Sequence, residues 1–154
     1  MMDGLQTTGE KIEFTVNGEV RVVTCSPSMR LSEVLRESLS LRATKVGCNA
    51  GDCGACTVLL DGDPVCACLV PAGQLAGRQV ETAESLAGSD DTLSALQASF
   101  LRHGAAQCGV CTPGMMMAAT ALLRQNGAPD RKSVEDALGG VLCRCTGYAK
   151  IIDA

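Results

Sequence analysis

The chain of 154 residues has no tryptophan, one tyrosine (Tyr148) and two phenylalanines (Phe14, Phe100). Aromatic bulk therefore cannot fill its core, which must be packed by Leu, Val, Ala and six Met. Small domains built this way are marginal unless something else staples them. No apolar run approaches membrane-spanning length. Met1 to Glu10 shows no positive n-region, no apolar h-region and no twin-arginine pair, so the expectation is a cytoplasmic protein with no membrane partner. Basic charge is also in short supply. A net charge of −4 and a pI near 4.9 argue against a phosphate backbone, and so against nucleic acid, as partner.

What the chain has in plenty is cysteine, ten in all. In a reducing cytosol such a number argues for metal ligation over a disulfide framework. Hydrophobic residues make up 46%, enough for a packed core and too many for wholesale disorder. The length suits one ordinary domain or two small ones.

The order of patterns favours two. Lys11 to Val16 alternates apolar Ile12, Phe14 and Val16 with polar neighbours. Asn17-Gly18 then signals a type I′ turn into Glu19–Thr24. Leu31, Val34, Leu35 and Leu39 fall at helical spacing. Gly47 to Gly54 has no period and reads as a loop. Thr57–Leu60, Asp61-Gly62 and Pro64-Val65 form a second hairpin, and Arg78 to Glu81 a last short strand. Residues 82–91 turn small and polar, as a linker does.

Beyond them the pattern is helical. Leu93, Leu96, Phe100 and Leu101 make one face. Pro113 to Gln125 opens with proline at a first helical position and is closed by Asn126-Gly127. Ser133 reads as the N-cap of a helix to Leu138, with Asp136 three residues on, close to a capping box. The expected organisation is α+β: a mixed unit over 10–81, a linker over 82–91 and a helical unit over 92–154.

Cysteine spacing carries the chemistry. Cys48, Cys53, Cys56 and Cys68 read C-x4-C-x2-C-x11-C, whose first part is the plant-type ferredoxin spacing for a 2Fe–2S cluster. Gly47, Gly51 and Gly54 let the backbone wrap close to the sulfurs and aim N–H groups at them. A structural zinc site is the alternative, and zinc favours paired C-x2-C units. Cys108, Cys111, Cys143 and Cys145 give C-x2-C, a gap of 31 residues, then C-x-C. Each pair lies beside an expected helix N-terminus, whose free N–H groups favour a thiolate-bound anionic cluster. Here too zinc stays open on spacing alone. Cys25 and Cys66 are left over. Cys66 is a competitor for the fourth place of the first set, but both read as small buried hydrophobes.

Three segments then resemble one family. Gly47-Cys48-Asn49-Ala50-Gly51-Asp52-Cys53-Gly54-Ala55-Cys56-Thr57-Val58 is similar to the GCxxGxCGACTV loop of the molybdenum hydroxylase (xanthine oxidase and xanthine dehydrogenase) family. Gln107-Cys108-Gly109-Val110-Cys111-Thr112-Pro113-Gly114-Met115 resembles its QCGxCTPGM motif, and Leu142-Cys143-Arg144-Cys145-Thr146-Gly147-Tyr148 its LCRCTGY motif. The resemblance runs in the family's order from about Ile12 to the end. It implies an N-terminal β-grasp ferredoxin-like domain and a C-terminal four-helix bundle, each with a 2Fe–2S cluster. It also implies two partners: a large catalytic subunit holding molybdopterin, in the cytosine dinucleotide form, and a medium subunit holding FAD. The assembly implied is of separate large, medium and small subunits, as a dimer of heterotrimers.

By the same resemblance the helical cluster lies next to the pterin, with Gln107 and Cys145 as the pterin contacts, and the ferredoxin-like cluster lies toward the flavin. A sister group resembling isoquinoline oxidoreductase has CQSG and GTY where this chain has Cys111-Thr112-Pro113-Gly114 and Thr146-Gly147-Tyr148, which favours the flavin-containing architecture. The function implied is electron transfer, with no catalytic residue in this chain. Gly51-Asp52-Cys53 resembles bacterial xanthine dehydrogenases and points to an N-heteroaromatic or purine substrate, aldehyde and carbon monoxide being the alternatives. A stand-alone ferredoxin-like carrier is the competing reading, opposed by the helical half.

Other residues read more plainly. His103 suits a helix C-terminus, favoured by the dipole, rather than a ligand. Met115–Met117 suits bundle core. Arg144 suits either a pterin phosphate or a structural salt bridge.

Overall fold

The computed structural model describes residues 9–88 and 92–154; Ser89 to Asp91, the end of the expected linker, lie outside the described residues, as do Met1 to Thr8. Strand β1 (Glu10–Val16) turns through Asn17 and Gly18, both at positive φ, into β2 (Glu19–Cys25). That is the primed turn which Asn-Gly favours and which matches the strands' own twist. A second pair, Asp61 and Gly62, repeats the device between β3 (Thr57–Leu60) and β4 (Asp63–Cys66). Strand β5 (Gln79–Glu81) enters beside β1 in parallel and beside β3 antiparallel, giving the order β2-β1-β5-β3-β4.

One short helix covers this sheet. Its first turn, α1 (Leu31–Glu33), widens into a π-helical turn over Val34–Ser38, where the Leu39 N–H reaches back to the Val34 carbonyl at 3.1 Å. The even helical spacing expected through Leu39 is thus broken after one turn. Leu31, Val34 and Leu35 are fully buried against Ile12, Phe14, Val16, Val58, Leu60 and Val80. This is the β-grasp arrangement.

The second half is a bundle of four helices. Helix α2 (Ala95–His103) is opened by a complete capping box between Ser94 and Gln97 and closed by Gly104 in the left-handed conformation. Helix α3 (Thr112–Gln125) carries Pro113 in its first turn, and α5 (Ala149–Asp153) ends the chain. Helix α4 (Arg131–Leu138) departs from expectation. Its cap is Asp130, whose carboxylate accepts the Ser133 N–H at 2.8 Å, so Ser133 is already inside the first turn. The expected apolar face of α2 is also narrower, since Phe100 is buried while Leu93 and Leu101 face solvent.

Phe100, Met115, Ala118, Leu138, Val141 and Ile151 form the bundle core. Met117 faces the other way, with Ala121, onto Leu59 of β3. All four residues of β3 are therefore buried, Val58 and Leu60 in the sheet's core and Leu59 against α3. Part of the expected linker packs at this joint. Thr82 is fully buried and exchanges two hydrogen bonds with the Asn17 side chain, and Ala83–Leu86 forms a 3₁₀ turn beside Leu59. Arg124 of α3 clasps Glu81 of β5 with two bonds, of 2.7 and 2.8 Å.

Candidate metal centres

The loop from Gly47 to Gly54 folds around one sulfur. The backbone N–H groups of Ala50, Asp52 and Cys53 all point at Cys48 Sγ, at 3.3 to 3.4 Å. These donors, that of Ala50 foremost, bring the Cys48 thiol down to about 6. Gly47 leaves room for a second sulfur, since a Cβ there would stand 2.8 Å from Cys53 Sγ. Cys56 and Cys68 are buried on the inner side, and burial pushes the Cys56 thiol up to about 12.

The second set repeats this division. Burial pushes the Cys111 thiol up to about 12, while Cys108, exposed, is lowered by the Val110 N–H. Burial also raises Cys143, but the hydroxyl and N–H of Thr146 outweigh it and bring that thiol to about 7. Helix α5 starts only at Ala149, so the turn itself, not a helix end, serves Cys143. The Tyr148 hydroxyl completes the turn by accepting the Cys143 N–H at 2.8 Å.

Within each set the sulfurs are neighbours. Cys108 and Cys145 approach to 3.5 Å, Cys111 lies beside Cys143, Cys48 beside Cys53, and Cys56 beside both Cys68 and the leftover Cys66. Four cysteines in each set, with backbone N–H groups turned to Cys48 and Cys143, suit the thiolates of an anionic 2Fe–2S cluster. Two orphan groups add to the fit. Asn49 Oδ1 and Thr112 Oγ1, next to Cys48 and Cys111, are buried without a partner, and a hydroxyl or a turned amide there can donate to sulfide. High values for Cys56 and Cys111 are no obstacle, since a coordinated thiol gives up its proton.

Cys66 sits at the end of β4 with its thiol turned to the Gly51 carbonyl at 3.7 Å, and Cys25 is buried at the end of β2. Gln107 donates through Nε2 to the Cys145 carbonyl at 3.1 Å, so these two exposed residues stand together. Arg144 is exposed and makes no ion pair among the described residues. His103 ends α2, its ring 2.9 Å from the Ser99 carbonyl.

Sequence reasoning missed the contacts between the two sets. The Leu142 N–H donates to the Cys53 carbonyl at 2.8 Å, linking a residue of one set to the neighbour of Cys143 in the other. Gly54, beside it, touches Gly140 and Gly114 backbone to backbone. Large apolar side chains are exposed around both sets, Val46 and Leu69 at the first, Val110 and Leu142 at the second.

Two family models match this chain. One, described as a 2Fe-2S iron-sulfur cluster binding domain, covers residues 14–92, and the other, a [2Fe-2S] binding domain, residues 82–154. The chain is 47% identical over 140 residues to the nicotinate dehydrogenase small FeS subunit of Eubacterium barkeri, covering 91% of this chain and 88% of that one. It is also 47% identical to the nicotine 6-hydroxylase small subunit of Paenarthrobacter nicotinovorans, over 94% of this chain and 86% of the relative. Among solved structures, quinoline 2-oxidoreductase from Pseudomonas putida 86 superposes with a TM-score of 0.92 at 47% identity, over 95% of this chain and 90% of that one.

Proposed function

The chain belongs to the small iron–sulfur subunits of the molybdenum hydroxylase family, and we propose that it relays electrons between two 2Fe–2S clusters. Cys48, Cys53, Cys56 and Cys68 hold one; Cys108, Cys111, Cys143 and Cys145 hold the other. The observation that carries this assignment is the convergence of three backbone N–H groups on Cys48 Sγ in one set and the 3.5 Å approach of Cys108 and Cys145 in the other, together with the 2.8 Å bond from Leu142 to Cys53 between them. A bound 2Fe–2S cluster supplies acceptance and release of one electron at a time. Hydroxylation of a C–H group with oxygen from water releases two electrons, which a relay of one-electron stations passes on singly.

The chain's own residues fix the distance, keep water away and set the potentials. N–H groups around Cys48 and the Thr146 hydroxyl at Cys143 stabilise the more negative, reduced form of whatever those sulfurs bind. Burial of Cys56 and Cys111 opposes added charge on the inner sides. The division into 10–81, 82–91 and 92–154 gives each cluster its own unit.

The partners we infer are a large molybdopterin subunit, with the cytosine dinucleotide form, and a medium FAD subunit, joined as a dimer of heterotrimers in the cytoplasm. The exposed apolar residues beside both sets support a covered surface there. No helix among the described residues is long and apolar enough to cross a membrane. Gln107 and Cys145 face the pterin in this reading: both are exposed, and a cysteine sulfur that ligates iron can still accept a hydrogen bond from a pterin amino group. An N-heteroaromatic substrate is supported by relatives named for nicotinate, nicotine and quinoline.

Metal and acid-labile sulfide analysis of the purified complex tests the assignment. Four irons and four sulfides per chain, co-purifying with two larger subunits, are expected. Zinc in either set, or a chain that elutes alone at its own mass, would refute it.

A further inference from the structure

Gly54 and Gly114 hold the two cysteine sets at a fixed distance, and we propose that they are positioning residues for electron transfer between the clusters. The inference rests on the two-cluster reading above. One electron leaves the reduced cluster of the helical domain and arrives on the oxidised cluster of the ferredoxin-like domain. No bond forms or breaks, so geometry alone decides how readily it passes.

The contact is unusually close. A Cβ on Gly114, in the first turn of α3 and three residues after Cys111, would lie 2.6 Å from the Gly54 carbonyl oxygen. A Cβ on Gly54 would lie 2.1 Å from the Gly140 carbonyl oxygen and 2.9 Å from Val141 Cα, just before Cys143. The loop that carries Cys53 and Cys56 thus meets both segments that carry the second set. The Leu142–Cys53 hydrogen bond lies within the same patch of contacts.

The Gly54 carbonyl cannot step aside. It already accepts the Thr57 hydroxyl at 2.6 Å and the Thr57 N–H at 3.0 Å, and Thr57 begins the buried strand β3. A methyl group on Gly114 must therefore be accommodated by α3 moving away, by about 1 Å to reach ordinary contact. Gly54 has the added constraint of φ +66°, which disfavours any side chain. Gly140 supplies the control. A Cβ there meets nothing within 4 Å.

The test uses the purified complex reduced with dithionite. When both clusters are paramagnetic, their EPR signals split by a dipolar interaction that falls with the cube of distance. Gly114→Ala is expected to keep four irons and both sets of g-values, to narrow the splitting and to slow substrate-driven flavin reduction. Gly140→Ala is expected to change neither. If Gly114→Ala loses a cluster, Thr57→Ala takes its place: it removes the hydroxyl bond that holds the Gly54 carbonyl against α3, and should narrow the splitting. Four irons with an unchanged splitting in Gly114→Ala, or in Thr57→Ala where that replaces it, would overturn this inference alone. Two irons per chain in the unaltered complex would overturn the two-cluster reading and this inference with it.

Discussion

Removing one oxygen atom, with Tyr148→Phe, should weaken the helical set selectively. The ring packs into the bundle core and remains in the variant. The hydroxyl accepts the Cys143 N–H at 2.8 Å and donates to the Val141 carbonyl at a long 3.4 Å. The second bond is near its weak limit, so the cost comes almost wholly from the first. Leaving the half-buried Cys143 amide without a partner costs about 1–2 kcal/mol. For a chain of this size that lowers the transition temperature by about 2–8 °C. The complex should be heated at one fixed scan rate while visible absorbance reports cluster loss, because irreversible unfolding makes the transition rate-dependent. EPR before heating should show a changed signal for the helical cluster and an unchanged one for its neighbour. If the transition and both signals match the unaltered protein, the hydroxyl is not what holds the Cys143 amide.

Further outcomes follow from the geometry. Cys145→Ser should lose the helical cluster or shift its potential strongly, so that substrate reduces molybdenum but electrons stall there; normal flavin reduction after anaerobic mixing would contradict the order of carriers. Cys53→Ser should damage the other cluster instead, leaving the helical one reducible by substrate while flavin reduction fails. Glu81 gives a pH signature. The Arg124 guanidinium holds its carboxyl below the usual range, so the clasp contributes above the unfolded value of about 4.3 and fades as pH falls through the lower folded value. Glu81→Gln should therefore be less stable at neutral pH, by under about 1 kcal/mol for so open a pair, and equal to the unaltered chain in acid; thermal transitions measured across that range check it.

The sequence made the hairpins legible because Asn17-Gly18 and Asp61-Gly62 require positive φ at adjacent positions, a demand few dipeptides meet. It also made the two proposed sets of cysteines stand out, since the spacing is local for seven of the eight, Cys68 being the one set apart. What it hid were choices between near-equal local options. Asp130 and Ser133 both cap helices well, and the chain uses Asp130. Leu93 and Leu101 carry the period of α2, yet nothing in the described fold covers them, because the buried face is set by what packs opposite. Hidden too were contacts between distant backbones. Neither Cys53 nor Leu142 announces a carbonyl–amide bond, and Gly114 looks like any residue of a helix start until Gly54 is seen above it. Tyr148 stands in the sequence only as part of a motif, and the fold reveals its hydroxyl on the Cys143 amide.

Strand β3 bears on how this molecule can be recombined. Val58 and Leu60 belong to one core and Leu59, between them, to the other, where it meets Met117 and Ala121. The sequence invites a cut between β5 and α2, but the physical wall shared by the halves lies earlier, inside four residues. A chimaera made by exchanging everything after β5 between two relatives would set one parent's Leu59 against the other's Met117 and put a foreign glycine over Gly54. Grafts that carry β3 and α3 together keep that wall intact, and heredity in this architecture should treat those two segments as one unit.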